Sequence, residues 1–255
     1  MKNWNWMRFQ SSVKAAVAAM AAIITWSCIS VRADDLAQYT FTSLTPAPAN
    51  GEATNNIPAS FVNSSLLTYA SVITSNPPTA GGGVLSFRTS GTLVDQSGGN
   101  GTTPAYPTIN YQIPNGTYTA AGNPNWYFQF SLAPSTDLNL TNLSFDLSMG
   151  STSSSTRGVD VLYSVDGFAT STDLGAIDTG NQTADNYFYE SYNLADALVT
   201  SSQTVTFRFE PFSTSGGGIR FDNIEVDGVA VPEPASLALM GLGGLGALWL
   251  RRRKA

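Results

Sequence analysis

Apolar or aromatic residues alternate with polar ones over short runs at positions 38–42, 127–132, 143–149, 159–163, 205–209 and 219–226. A period of two sends successive side chains to opposite faces of an extended chain, so each run predicts a half-buried β-strand. Residues 66–73, 84–87 and 187–192 carry the same pattern more weakly. Between the runs lie clusters that break regular structure, among them Gly81-Gly82-Gly83, Ser97-Gly98-Gly99-Asn100-Gly101 and Ser215-Gly216-Gly217-Gly218. Helical periodicity is nearly absent, and only residues 194–198 suggest a turn of helix or a crossover loop. About nine strands with long connections predict an all-β protein in which two antiparallel sheets pack as a jelly-roll-like β-sandwich. Tyr, Phe and Val would fill the space between the sheets. The first strand, near Tyr39 and Phe41, is expected to pair with the last, at 219–226.

Both ends of the chain depart from this pattern. Lys2, Arg8 and Lys14 lead into an apolar stretch at 15–26, and small residues follow up to Val31-Arg32-Ala33. This order predicts an N-terminal signal helix, a secretory signal peptide spanning 1–33 with cleavage between Ala33 and Asp34. At the other end, Pro232-Glu233-Pro234 precedes an uncharged stretch at 237–250, and Arg251, Arg252, Arg253 and Lys254 follow directly. Two prolines flanking a glutamate continue neither strand nor helix and make an exposed joint. The apolar stretch is about 21 Å long as a helix, short against a hydrocarbon core of about 30 Å, with Trp249 and the snorkelling arginines extending its reach. The cation cluster stops it on the cytoplasmic side. The domain organisation expected is therefore a signal peptide at 1–33, a β-sandwich at 34–230 and a sorting or anchoring segment at 231–255 with a short transmembrane helix.

Charge and composition then narrow the chemistry. The chain has no His and one Cys, which excludes a His proton shuttle, a Cys-His nucleophile and a Cys/His zinc site. With residues 1–33 and those from 232 onward removed, four arginines (Arg88, Arg157, Arg208 and Arg220) stand against 17 acids, a net charge of −13 with no Lys and no Cys. Such a surface repels nucleic acid and attracts divalent cations. Asp160, Asp166, Asp173 and Asp178, interleaved with Ser, Thr and Gly, offer hard-oxygen ligands for Ca2+, with Asp146 and Asp222 as alternative contributors. Their ordinary reading is as turn acids, and Val165-Asp166-Gly167-Phe168 reads first as a hairpin turn. Glu225 and Asp227 share one face of the last strand, as a carboxylate pair for glycoside hydrolysis would, or as plain surface acids.

The order Pro232-Glu233-Pro234, Gly-rich apolar helix and terminal Arg cluster resembles the PEP-CTERM sorting signal of Gram-negative bacteria. The resemblance implies export, a transient stay in the inner membrane and processing by an exosortase, after which the protein is at the cell surface or outside. A permanent single-span anchor is the alternative. From Trp126 onward, Tyr127-Phe128-Gln129-Phe130, Leu143-Ser144-Phe145-Asp146-Leu147, Tyr163-Ser164-Val165-Asp166-Gly167-Phe168, Val205-Thr206-Phe207-Arg208-Phe209 and Ile219-Arg220-Phe221-Asp222-Asn223-Ile224 resemble a recurrent PEP-CTERM passenger domain. That likeness implies a lectin-like or carbohydrate-module-like sandwich. Trp126, Arg208 and Arg220 are then the residues for a sugar platform, with aromatic faces stacking on pyranose rings and guanidinium groups binding hydroxyls. An Arg paired with surface acids, or a Trp packed in the core, is the plainer reading of each. The expectation is a non-catalytic, exosortase-sorted surface or matrix protein associated with extracellular polysaccharide. A carbohydrate-binding module and a secreted glycosidase or lyase are the alternatives.

Overall fold

The computed structural model describes residues 33–39, 58–59, 61–76, 85–88, 94–95, 108–113, 126–149, 157–178, 186–214 and 217–231. The signal segment up to residue 32, Phe41, and the sorting segment from Pro232 onward, with its basic cluster, lie outside the described residues. Among the described residues, no helix is long and apolar enough to cross a membrane.

Fourteen strands are described: β1 (Asp34–Tyr39), β2 (Phe61–Val62), β3 (Leu67–Ala70), β4 (Thr74–Asn76), β5 (Leu85–Arg88), β6 (Val94–Asp95), β7 (Thr108–Ile113), β8 (Tyr127–Pro134), β9 (Leu138–Met149), β10 (Arg157–Ser164), β11 (Thr172–Asp178), β12 (Asn186–Val199), β13 (Val205–Ser213) and β14 (Gly217–Ala230). They form two sheets. The larger runs β2-β1-β14-β9-β12-β6, with β7 beside β14 and β5 beside β7; the smaller runs β11-β10-β13-β8-β3, with β4 also on β8. All pairings are antiparallel except the short β12–β6 contact.

The expected closure of first strand on last is present, with Tyr39 opposite Ile224 and Asp34 opposite Gly228. The long β14 takes β9 along one side, while β1 and β7 pair with different portions of it. Aromatic side chains lock the layers together. Phe128 and Phe209 of the smaller sheet stack at 4.7 Å between ring centres, and Phe221 of β14 meets Phe128 edge-on at 4.8 Å. Phe145 of β9 meets Phe209 edge-on at 5.2 Å, and Tyr39 lies 4.6 Å from Phe130. These rings are almost wholly buried, and each contributes on the order of 2 kcal/mol by leaving water. The Tyr39 hydroxyl keeps a partner by donating to the Ser71 carbonyl at 2.8 Å.

Two sequence expectations are corrected. Residues 194–198 are neither a helical turn nor a crossover loop but the inside of β12, where the pairing with β9 shifts between Asn193 and Ala197. Ala195 takes a positive φ of 50° there, and its N–H donates to Asn193 Oδ1 at 2.8 Å, so a local bulge imitates the spacing of a helical turn. The stretch at 43–125, expected from its Pro and Gly content to be long loops, also contributes β2, β4 and β6, which at two or three residues are too short to show a period, and β7, whose Thr108-Ile109-Asn110-Tyr111-Gln112-Ile113 does alternate polar and apolar residues but was not among the expected strands.

Candidate functional site

Alternation fixes what the smaller sheet presents outward. Phe207 and Phe209 of β13 and Val159 and Val161 of β10 face the core, so Arg208, Glu210, Asp160 and Leu162 face the other way. Register brings them side by side: Leu162 lies opposite Arg208 and Asp160 opposite Glu210. Arg208 in turn lies opposite Gln129, Gln129 opposite Thr74, and Leu162 opposite Asp173. One row, Asp173-Leu162-Arg208-Gln129-Thr74, thus crosses the sheet.

Arg208 is the centre of this face. Its Nε and Nη2 both donate to Gln129 Oε1, at 3.2 and 3.1 Å. Its guanidinium carbon lies 3.9 Å from the centre of the Tyr127 ring and 3.5 Å from that of Phe168. The charge is therefore held against two aromatic faces and oriented by an amide oxygen.

Phe168 reaches this position through the β10–β11 turn, which is tightly built. Gly167 and Phe168 both take positive φ, 71° and 67°. For a bulky side chain this conformation is strained. The buried Ser164 hydroxyl oxygen accepts from Phe168 N–H at 2.9 Å and from Asp166 N–H at 3.2 Å, and donates to Asp166 Oδ1 at 2.7 Å. Asp166 accepts from the Thr170 N–H and hydroxyl. The Thr170 hydroxyl, the Thr170 N–H and the Ser164 hydroxyl hold the Asp166 carboxyl down at about 2.

Beside the arginine is an acidic patch. Asp160 and Glu210 are buried although they face outward. Burial and the neighbouring Asp173 carboxylate raise the Asp160 carboxyl to about 6. Glu210 is raised to about 7 by burial, with Arg208 opposing and Asp160 and Asp173 adding to the shift.

The larger sheet carries a second group. Asp35, Glu225 and Asp227 face outward with carboxylate oxygens within 4.8 Å of one another, close enough to share a proton or a cation. Gln38 Nε2 donates to Glu225 Oε2 and Asn142 Nδ2 to Asp227 Oδ2, both at 3.4 Å. Glu225 is raised to about 7 by burial and by Asp35 and Asp227.

The structure sorts the sequence-derived residues between these faces. Arg208 and Tyr127 meet, whereas Trp126 is a half-buried residue just before β8. Arg220 is buried on β14 in register with Ser148 of β9, on the outer face of the larger sheet, so the two arginines do not form one platform. Of the expected calcium ligands, Asp173 acts electrostatically on Asp160. Asp166 is committed to its turn, and Asp178 is exposed on β11 opposite Gly158. Asp146 and Asp222 face each other on the larger sheet, with Asn223 Nδ2 donating to Asp146 Oδ2 at 2.8 Å. Ala33 and Asp34 are exposed at the start of β1. Phe168 and Gln129 were not singled out by sequence reasoning; Gln129 stood in a recognised strand, but nothing in the local pattern tied either residue to Arg208.

The fold and tail together define an exported, all-β sandwich protein. Residues 230–254 match the PEP-CTERM protein-sorting motif, which implies export, transient membrane anchoring, exosortase processing, and delivery to the cell surface or beyond. No curated protein sequence matches the chain. Among solved structures, the chain is similar to the CBM22-1 xylan-binding domain of Paenibacillus barcinonensis Xyn10C, at 10% identity over 79% of this chain and 99% of that one, TM-score 0.40. It is similar to an apo cyclase from Fischerella sp. at 12% identity, over 79% and 98%, TM-score 0.46. It is also similar to the K1 cleaved adhesin domain of Lys-gingipain from Porphyromonas gingivalis W83 at 13% identity, over 69% and 95%, TM-score 0.38.

Proposed function

We propose that this exosortase-sorted protein is a non-catalytic surface or matrix component that binds extracellular polysaccharide through the outer face of its smaller sheet. The observation that carries the reading is Arg208 held between Tyr127 and Phe168 and forked onto Gln129. Aromatic surface with a fixed hydrogen-bonding group beside it is what a pyranose ring requires, because its C–H faces stack and its hydroxyls need directed partners. The hydroxyls of Ser131 and Thr206, joined at 2.8 Å, extend the polar face alongside. A strained turn that presents an aromatic ring is a cost the fold sustains elsewhere in its packing, and such strain concentrates at binding sites.

The test is affinity electrophoresis and calorimetry against a panel of neutral and acidic polysaccharides, with the wild type and Arg208→Ala. Retardation by a polysaccharide, lost in the variant, supports the reading; no retardation by any polysaccharide overturns it. Release of new reducing ends from the panel, abolished by Glu210→Gln, would replace binding by hydrolysis.

A further inference from the structure

We infer that the outer face of the smaller sheet takes a neutral polysaccharide, with Glu210, Asp160 and Asp173 around Arg208 excluding uronic and sulfated polymers. The inference rests on the polysaccharide reading above and adds the class of polymer. Among the described residues, Arg208 is the one cation that alternation sends to this face; Arg157 shares the inward phase of Val159 and Val161 on β10. A guanidinium grips an oxyanion through paired N–H groups. In Arg208 the Nε and Nη2 pair is already occupied by Gln129 Oε1, at 3.2 and 3.1 Å. The Tyr127 and Phe168 rings lie 3.9 and 3.5 Å from its central carbon. The arginine is thus built to hold the rings and the amide in place, and an anion that approaches the rest of it meets the field of the neighbouring acids.

Those acids come from three adjacent strands. Glu210 follows Arg208 on the same face of β13, and the two interact electrostatically. Asp160 stands opposite Glu210 on β10, and Asp173 of β11 lies in the same row as Arg208 with Leu162 between them. Neighbouring strands are about 4.8 Å apart, so the backbone of Asp173 is roughly 10 Å from that of Arg208. Asp160 and Glu210 are 4% and 5% exposed, and burial leaves little water to screen them. Asp173 is exposed. One positive charge against these carboxylates leaves the face anionic, within a domain of net charge −13. A uronate or sulfate polymer is repelled along its whole length. A neutral polymer meets the rings, the Gln129 amide and the hydroxyls of Ser131 and Thr206 without that repulsion.

The experiment measures binding of the full-length protein, in mild detergent at pH 8, to plates coated with the neutral and acidic polysaccharides of the panel. Matched pairs that differ chiefly in charge are included: methyl-esterified and de-esterified pectin, dextran and dextran sulfate, hydroxyethylcellulose and carboxymethylcellulose. A neutral polymer should bind roughly tenfold more tightly than its charged counterpart at about 0.01 M NaCl. Raising NaCl to about 1 M shortens the screening length from about 30 to about 3 Å, and should narrow the gap by strengthening the charged member. Asp173→Asn changes an exposed side chain and keeps the acceptor for the Gly175 N–H. It and Glu210→Gln should each narrow the low-salt gap by roughly threefold, which a merely structural role of the acids would not do. Binding of no polymer overturns the polysaccharide reading and this inference with it. Charged polymers bound as tightly as neutral ones and lost in Arg208→Ala, or a preference that neither salt nor the two acid variants alter, overturn the neutral class and leave the polysaccharide reading standing.

Discussion

The guanidinium carbon of Arg208 lies 3.5 Å from the centre of the Phe168 ring, although Arg208 belongs to β13 and Phe168 to the turn between β10 and β11. The contact joins a strained turn to the middle of a sheet. It makes the aromatic face of the candidate site dependent on the hydrogen bonds of that turn.

Replacing Phe168 by Gly removes the ring and relieves the positive φ of 67°. Stability should change by less than about 1 kcal/mol, since relief of strain offsets the lost cation–π contact. Polysaccharide affinity should fall about tenfold, which is about 1.4 kcal/mol. Urea denaturation and affinity electrophoresis on one preparation check both halves.

Ser164→Ala removes the hydroxyl that accepts from Phe168 and Asp166 and donates to Asp166. Because Ser164 is buried, the orphaned groups should cost about 1–3 kcal/mol. The same variant should weaken polysaccharide binding, whereas a turn without a role in the site would leave affinity unchanged.

Gly158 of β10 has no room for a side chain. A Cβ there would fall on the Ile177 carbonyl oxygen and the Phe212 ring. Gly158→Ala should force β10 away from β11 and lower stability by about 2–4 kcal/mol, or prevent folding. Circular dichroism and urea titration would register either outcome, and a wild-type midpoint would refute the close packing.

Glu225 makes stability depend on pH. Its carboxyl is raised from the ordinary Glu value to about 7 by burial and by Asp35 and Asp227. Below the unfolded value both states hold the proton and the contribution is fully present. Between about 4.5 and 7 the folded state holds more protons than the unfolded one, so stability falls as pH rises through that window. With solvent screening the effect of this one group should be on the order of 1 kcal/mol. Urea midpoints in EDTA at pH 5 and pH 8 should differ in that direction, and Glu225→Gln should reduce the difference. A midpoint that rises with pH would contradict the assignment.

The last described hydrogen bond of the sandwich is Val231 N–H donating to the Asp137 carbonyl at 2.8 Å, directly before Pro232. Deleting residues 232–255 should therefore leave thermal stability unchanged while the protein is no longer retained in the membrane before release. Fractionation of cells producing the two forms, with melting of each, tests sorting and folding separately.

Much of the sandwich was legible in the sequence. The period of two at 127–132, 143–149, 205–209 and 219–226 marks strands whose inward residues are the aromatic core, because an extended chain alternates its faces regardless of its neighbours. The order of Pro232-Glu233-Pro234, apolar stretch and basic cluster identified the sorting signal, because that signal is contiguous in the chain.

What the alternation leaves open is which strands become neighbours and which outer face each outward residue joins. Arg208 and Arg220 both sit beside phenylalanines in similar strands, yet only the assignment of β13 and β14 to different sheets sends them to opposite sides. The same assignment separates Asp146 and Asp222 from Asp160 and Asp173. Phe168 meets Arg208 because two consecutive positive φ values and a buried serine aim a turn residue back over the sheet. Local pattern therefore determined the strands and the address of this protein, whereas the candidate site arose from long-range pairing and turn geometry, which no short stretch of sequence specifies.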